Sequence, residues 1–379
     1  MIASTYTKRN SPQVRFTMTS FPIRLAGHAF WSSVKLKLFG TKKYKGKAED
    51  ICRQIVEECW NGVFFQTSTS HFPQFWTRDF GWCVEALVKL GYKAEVEKTL
   101  RYALEIFSEH GAVTTTISPT HAAFDFPLYA VDSLPWLVHS LAALGSKTLV
   151  QQYAPFLERE VEQFVRRVVD EKSGLVKPYH FSSMKDLAVR KSSCYDNCMV
   201  AFLFDNLKKC GLRRPLYTFR YNYTKIIKKH FWNGAYFYDD ITKKPYIAGD
   251  ANIFPFYTGI FTDRKMLASA LEHIQLAHLD APFPLEYTSR DAPVRFIWSE
   301  IFLHGYEKDA IWTHMALPYI ELVKRVDKER AAAYVDAYRT VIETHKNYLE
   351  VFDARGWPFR TVFYHSDQGM LWAANYLTL

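Results

Sequence analysis

Apolar positions recur along this chain at helical spacing, and the runs come in pairs joined by a glycine. The stripe Ile51, Ile55, Cys59 predicts a helix over 48–60. Further runs predict helix pairs at 79–90 with 93–109, 131–144 with 147–170, 193–210 with 213–231, 253–258 with 262–274, and 297–304 with 307–325. Single runs follow at 327–347 and 366–378, and Phe231 to Asp240 reads as a helix end turning into a short β-hairpin. The pairs meet at Gly91, Gly145, Gly211, Gly259 and Gly305, with a glycine-free corner predicted near Val326-Asp327. Such a helix end closes on a left-handed residue, a conformation glycine reaches without steric penalty. Successive corner glycines lie 54, 66, 48 and 46 residues apart, room for one helical hairpin and one long loop each. Six hairpins wrapped in a ring make an all-α (α/α)6 barrel with short β-hairpins in its loops. Those loops gather at one end and form a site. Strands do not alternate with helices, so Rossmann and TIM-barrel folds are excluded. No glycine-rich phosphate loop and no Gly-x-Ser-x-Gly turn occurs.

The 379 residues contain no Pro/Gly/Ser-rich linker, so the expected organisation is one barrel domain over 48–379 behind an extension, 1–47. That extension is basic. The first 48 residues hold ten Lys and Arg and no Asp or Glu, which is more than the whole net charge of +9. The barrel itself is near neutral, and a nucleic-acid partner is not expected. Aromatic residues make up 16% of the chain, which fills a large core and leaves rings to stack on sugar faces. Six cysteines sit mostly within helical patterns, and the pair Cys194–Cys198 lacks a following His at zinc-ligand spacing. Free thiols in a cytoplasmic protein, with no metal and no cofactor, are the expectation. No apolar run approaches the length of a membrane span, so no membrane partner is expected, and the chain is compatible with a homo-oligomer.

Candidate chemistry lies in the loops that lead into inner helices. Four clusters stand there: Trp76-Thr77-Arg78-Asp79-Phe80, Val131-Asp132-Ser133 with Trp136, Met184-Lys185-Asp186, and Glu350-Val351-Phe352-Asp353 with the later run Tyr364 to Trp372. In these clusters the chain resembles the six-hairpin glycosidases. The likeness is nearest to the alkaline/neutral invertases and more distant to glucoamylases and debranching glucosidases. The Arg78-Asp79-Phe80 step, Val131-Asp132-Ser133 before Trp136, Met184-x-Asp186, and Glu350-x-x-Asp353 with Gly356 and Gln368 follow that family's order over roughly 48–379. After Asp186 the run Leu187-Ala188-Val189-Arg190, and later Cys194-Tyr195-Asp196-Asn197, depart from it at positions that shape the invertase sucrose pocket. The resemblance therefore implies a reaction class rather than sucrose. It implies Asp186 as general acid and Glu350 as general base of an inverting hydrolase acting on a carbohydrate.

The same roles fit elementary chemistry. Inversion needs a protonated acid beside the leaving oxygen and a carboxylate holding water on the opposite ring face. Asp186 and Glu350 come from loops far apart in sequence on one rim. Arg78 and Asp79 would hold sugar hydroxyls, and Trp76, Trp136, Trp298 and Trp312 are the candidate stacking walls. Asp132, Asp250, Asp353 and Gln368 complete the expected substrate contacts. Asp132 reads equally as a helix cap, and Asp132 and Asp196 are rival acids. A sugar epimerase or polysaccharide lyase on such a toroid would use His314, His365 or Tyr364 instead. A non-catalytic sugar-binding barrel also stays open.

Overall fold

The computed structural model describes residues 21–379, with 21–26 and 29 described by backbone alone. The helices are α1 Phe21–Phe39, α2 Ala48–Cys59, α3 Thr77–Lys89, α4 Lys93–His110, α5 Ser133–Leu144, α6 Lys147–Val168 and α7 Cys194–Cys210. They continue as α8 Tyr223–Phe231, α9 Gly249–Tyr257, α10 Arg264–Leu276, α11 Thr313–Val326, α12 Lys328–His345 and α13 Ala373–Tyr376. Of the basic extension, Lys8, Arg9 and Arg15 lie outside the described residues.

Burial separates two layers. Helices α3, α5, α7, α9 and α11 are buried almost all round, whereas α12 buries little beyond Ala331, Tyr338 and Ile342. A helix that is apolar on every side belongs in a core, and one with a single stripe belongs outside it. Packing bears this out. Helix α3 packs on α5, α5 on α7, α7 on α9 and α9 on α11, while α13 packs on both α3 and α2. Each of these inner helices also touches its outer partner: α3 with α4, α5 with α6, α7 with α8, α9 with α10 and α11 with α12. Helix α12 packs on α2, so α13 and α2 form the sixth hairpin from distant parts of the chain. The (α/α)6 barrel expected from the glycine corners is the fold, and its strands are two-residue pieces in the loops.

The hairpin corners at Gly91, Gly145, Gly211 and Gly259 all carry positive φ, and Asp327 stands at the glycine-free fifth corner. The expected corner at Gly305 is corrected. Residues 298–303 form one 3-10 turn with Trp298 and Ile301 exposed rather than an inner helix, and α11 starts only at Thr313. Gly305 instead sits in that loop, its N–H donating to Glu300 at 2.8 Å. The predicted helix over 366–378 shrinks to Ala373–Tyr376, because 366–368 pairs in extended form with 349–351. Two antiparallel ribbons, Phe75–Trp76 with Thr116–Ile117 and Ile311–Trp312 with Val351–Phe352, run directly into α3 and α11 and fix where those helices begin.

Inner helices approach closely at one point. A Cβ on Gly81 would stand 2.7 Å from Cβ of Trp136, so only glycine lets α3 meet α5 there. Helix α1 lies against the loop end of the ring. Ser33 Oγ is 3.2 Å from His71 Nε2 and accepts from the His365 N–H at 3.1 Å.

Candidate active site

The N-terminal ends of α3 and α11, with the loops beside them, line a cavity of about 560 Å³. Its wall is mainly aromatic. Trp76, Trp82, Trp312 and Trp372 face it, and the His314 ring stacks on Trp82 with centroids 4.2 Å apart and planes 7° from parallel. Burial, reinforced by Arg78, holds the His314 pKa far below the ordinary value, so this imidazole is a neutral packing surface.

One carboxyl group enters from the 182–190 loop. Asp186 Oδ1 accepts from the Ser182 hydroxyl, and its Oδ2 lies 3.3 Å from Arg78 Nη2. Arg78 also donates through Nη1 to the Ser183 carbonyl and reaches Asp132 at 3.4 Å. The loop is clamped from the opposite side by Glu307. Its Oε1 accepts from the Asp186 N–H at 2.7 Å, and Oε2 from Leu187 and Ala188 at 2.7 and 3.0 Å. Burial and the nearness of Asp186 push the Glu307 pKa up to about 8, against three amide donors that favour its charged form. Behind the loop, Lys185 and Arg190 bind Asp250 at 2.9 and 2.6 Å and Asp239 at 3.6 and 3.2 Å, all four being buried. A buried charge is tolerable only when paired in this way. The loop that presents Asp186 is therefore fixed at both edges.

The second carboxyl group enters from the start of the 350–352 ribbon. Glu350 Oε1 accepts from the Tyr306 hydroxyl at 2.6 Å, and Oε2 accepts from the Tyr364 hydroxyl and from the Asp367 N–H at 3.1 Å. Burial raises its pKa, Asp367 adds to the rise, and the two phenols oppose it. Asp367 is itself raised to about 6 by burial. His71 lies 3.2 Å from it, yet burial lowers the His71 pKa to about 4, so this contact joins a neutral ring to a carboxylate rather than two charges.

Asp79 lies between these groups at the start of α3, feeling both Asp186 and Glu350, with burial raising its pKa to about 6. Its carboxylate makes no hydrogen bond to another side chain among the described residues and faces the cavity. Tyr287 anchors the floor, donating to the Met184 carbonyl at 2.9 Å.

Of the residues singled out in the sequence, Trp76, Arg78, Asp79, Asp186, Trp312 and Glu350 come together around the cavity. The others do not. Asp132 is fully buried under Arg78, accepting from Tyr195 at 3.0 Å, and burial raises its pKa to about 7. Trp136 packs in the core with its ring N–H 3.2 Å from Tyr195 Oη. Asp250 belongs to the ionic cluster behind the Asp186 loop. Asp353 faces a separate cleft and closes its own turn, binding Arg355 at 2.8 Å and the Trp357 N–H at 3.0 Å. Gln368 tethers the extension, accepting from the Lys42 N–H at 2.7 Å, and Trp298 is exposed. Sequence reasoning missed Glu307, Tyr306 and Trp82. Glu307 begins a stretch read as helix and Tyr306 falls in the corner before it, while Trp82 follows Arg78 by one helical turn, a spacing that could have marked it.

No family model and no curated sequence relative matches this chain. Similarity is to solved structures. A glycosidase variant in complex with glucose aligns with a TM-score of 0.65 at 10% identity, over 87% of this chain and 95% of that one. A GH63 mannosylglycerate hydrolase from Thermus thermophilus in complex with glucose aligns at 0.62 and 9% identity, over 88% and 100%. A rhamnosidase from Klebsiella oxytoca with rhamnose bound aligns at 0.59 and 11% identity, and this chain spans 65% of its length. At such identities the likeness establishes a shared fold. The nearer resemblance to alkaline/neutral invertases rests on the sequence clusters alone.

Proposed function

We propose that this protein is a glycoside hydrolase that cleaves a small α-linked glycoside with inversion, using Asp186 as general acid and Glu350 as general base. The observation that carries the reading is that two carboxyl groups from distant segments enter one aromatic-walled cavity, with Asp79, which makes no hydrogen bond to another side chain among the described residues, between them. Asp186 passes its proton to the glycosidic oxygen as the bond to the anomeric carbon breaks. A water attacks that carbon from the opposite face and gives its proton to Glu350. Arg78 and Asp79 orient hydroxyls of the terminal sugar, and Trp76 and Trp312 offer stacking faces. A cavity of 560 Å³ suits a mono- or disaccharide unit. Neighbours of the same fold are glycosidases whose structures hold glucose or rhamnose.

The epimerase and lyase readings find less support. His314 is a neutral stacked ring, and burial beside Glu350 raises the Tyr364 pKa far above the range of a working base.

The test is a screen against sucrose, trehalose, maltose, glucosylglycerate and aryl glycosides, with the released anomer followed by proton NMR. The expected product has inverted configuration. Glu350→Gln should lower turnover by about 10²–10⁴-fold with the melting temperature preserved. Product of retained configuration, or a fully active variant, would overturn the assignment.

A further inference from the structure

Around the cavity mouth, helix α1 and two loops turn large apolar side chains outward. On α1, Trp31, Leu38 and Phe39 are exposed, the last by 84%. The 298–303 turn adds Trp298 and Ile301, and the 361–363 turn adds Val362, each more than 70% exposed. These pieces adjoin. Lys37 Nζ donates to the Thr361 and Val362 carbonyls at 2.8 and 2.7 Å, and the Thr361 hydroxyl donates to the Phe302 carbonyl at 2.9 Å. The Phe302 and Phe363 rings meet edge to face at 5.2 Å. Phe30, Phe302 and Phe363, from the same three segments, line the cavity, so the apolar rim runs into its mouth. Apolar side chains exposed singly are ordinary, whereas a cluster on one rim marks an interaction site.

The charge of this rim is mainly positive, the one acid of its three segments, Glu300, being buried beside His304. The first 48 residues contain ten Lys and Arg and no acid. Lys35 is exposed on α1, and Arg360 bears on Lys37 and His365 as a further cation without an ion-pair partner among the described residues.

We propose that this rim docks the protein reversibly on an anionic lipid surface, with the cavity mouth towards the bilayer. Trp, Phe and Leu enter the boundary between headgroups and acyl chains, while the lysines and arginines beside them meet anionic headgroups. The absence of a membrane-spanning helix among the described residues does not bear on such a contact, because the rim lies on the surface. A second copy is a poorer occupant. A two-fold contact would set the lysines of two α1 helices face to face. The proposal does not depend on the glycosidase reading.

Sedimentation with large unilamellar vesicles tests it, using phosphatidylcholine alone or mixed with phosphatidylserine. The full-length protein should pellet with the mixed vesicles, less so at high salt, and should stay in solution with phosphatidylcholine alone. The combined Trp31→Ser, Leu38→Ser, Phe39→Ser and Val362→Ser variant should partition about tenfold or more weakly, with an unchanged melting temperature. Wild-type protein that fails to pellet with either vesicle would overturn the proposal. Pelleting unaffected by the apolar variant would also overturn it, by leaving charge alone at work. A dimer by size exclusion that the variant converts to monomer, without vesicle binding, would assign the rim to a second copy.

Discussion

Glu350 makes its strongest contacts with two phenols, and these set how the group titrates. Hydrogen bonds donated to a carboxylate favour its charged form, so the Tyr306 and Tyr364 hydroxyls hold down a pKa that burial raises. Removing one donor should let it climb. With Glu350 as the base, activity falls as pH drops through its pKa. The Tyr306→Phe variant should therefore move the acid limb of the kcat/KM profile to higher pH, by about 0.5–1 unit. An unmoved limb would mean that Glu350 is not the titrating base. Arg78, Asp79, Asp186 and Glu350 were legible in the sequence because each sits in a short polar cluster leading into a helix or ribbon. Tyr306 and Glu307 were not, since the apolar residues around them imitate a helical stripe. Asp132 and Trp136 share the spacing of cavity residues, but Tyr195 and the close pass at Gly81 turn them inward.

The glycine corners carried most of the element-scale information. Gly145 and Gly211 end α5 and α7 in left-handed caps with φ of 71° and 70°. Gly305 has a positive φ as well but closes a loop, so glycine alone does not separate a hairpin corner from a turn. What does separate them is burial, which 298–303 lacks. Gly81 acts differently, through space rather than φ. Gly81→Ala would press a methyl into the Trp136 Cβ, which cannot swing aside, and should destabilise the protein by about 1–3 kcal/mol despite alanine's better helix propensity. Denaturant melts of that variant beside wild type give the value, and a neutral or stabilising result would mean that α3 and α5 pack more loosely.

Over the whole molecule, many acids are buried with raised pKa values: Asp79, Asp125 and Asp367 to about 6, Asp132 to about 7, and Glu286 and Glu307 to about 8. Each keeps its proton in the fold after the unfolded chain has released it. The stability these groups contribute is therefore greatest below the unfolded values near 4 and is lost as pH rises through the folded ones. Buried His71 and His139, lowered to about 4, act oppositely and weaken the fold as pH drops below 6.5. The carboxyl groups outnumber these rings. The melting temperature should be higher near pH 5.5 than near pH 8.5, and Glu286→Gln should narrow that gap, stabilising the protein at the higher pH by more than about 1 kcal/mol. Calorimetry at the two pH values decides it, and an equal gap in the variant would exclude Glu286 as a source. The ring has one further consequence. Because α2 finds its partner in α13, and Glu350 stands on the segment that leads there, a growing chain can stack five hairpins but has neither a closed wall nor its second carboxylate until that late segment emerges. A chain cut before residue 350 would therefore lose, in one stroke, the helix that closes the ring and one of the two carboxyl groups that enter its cavity.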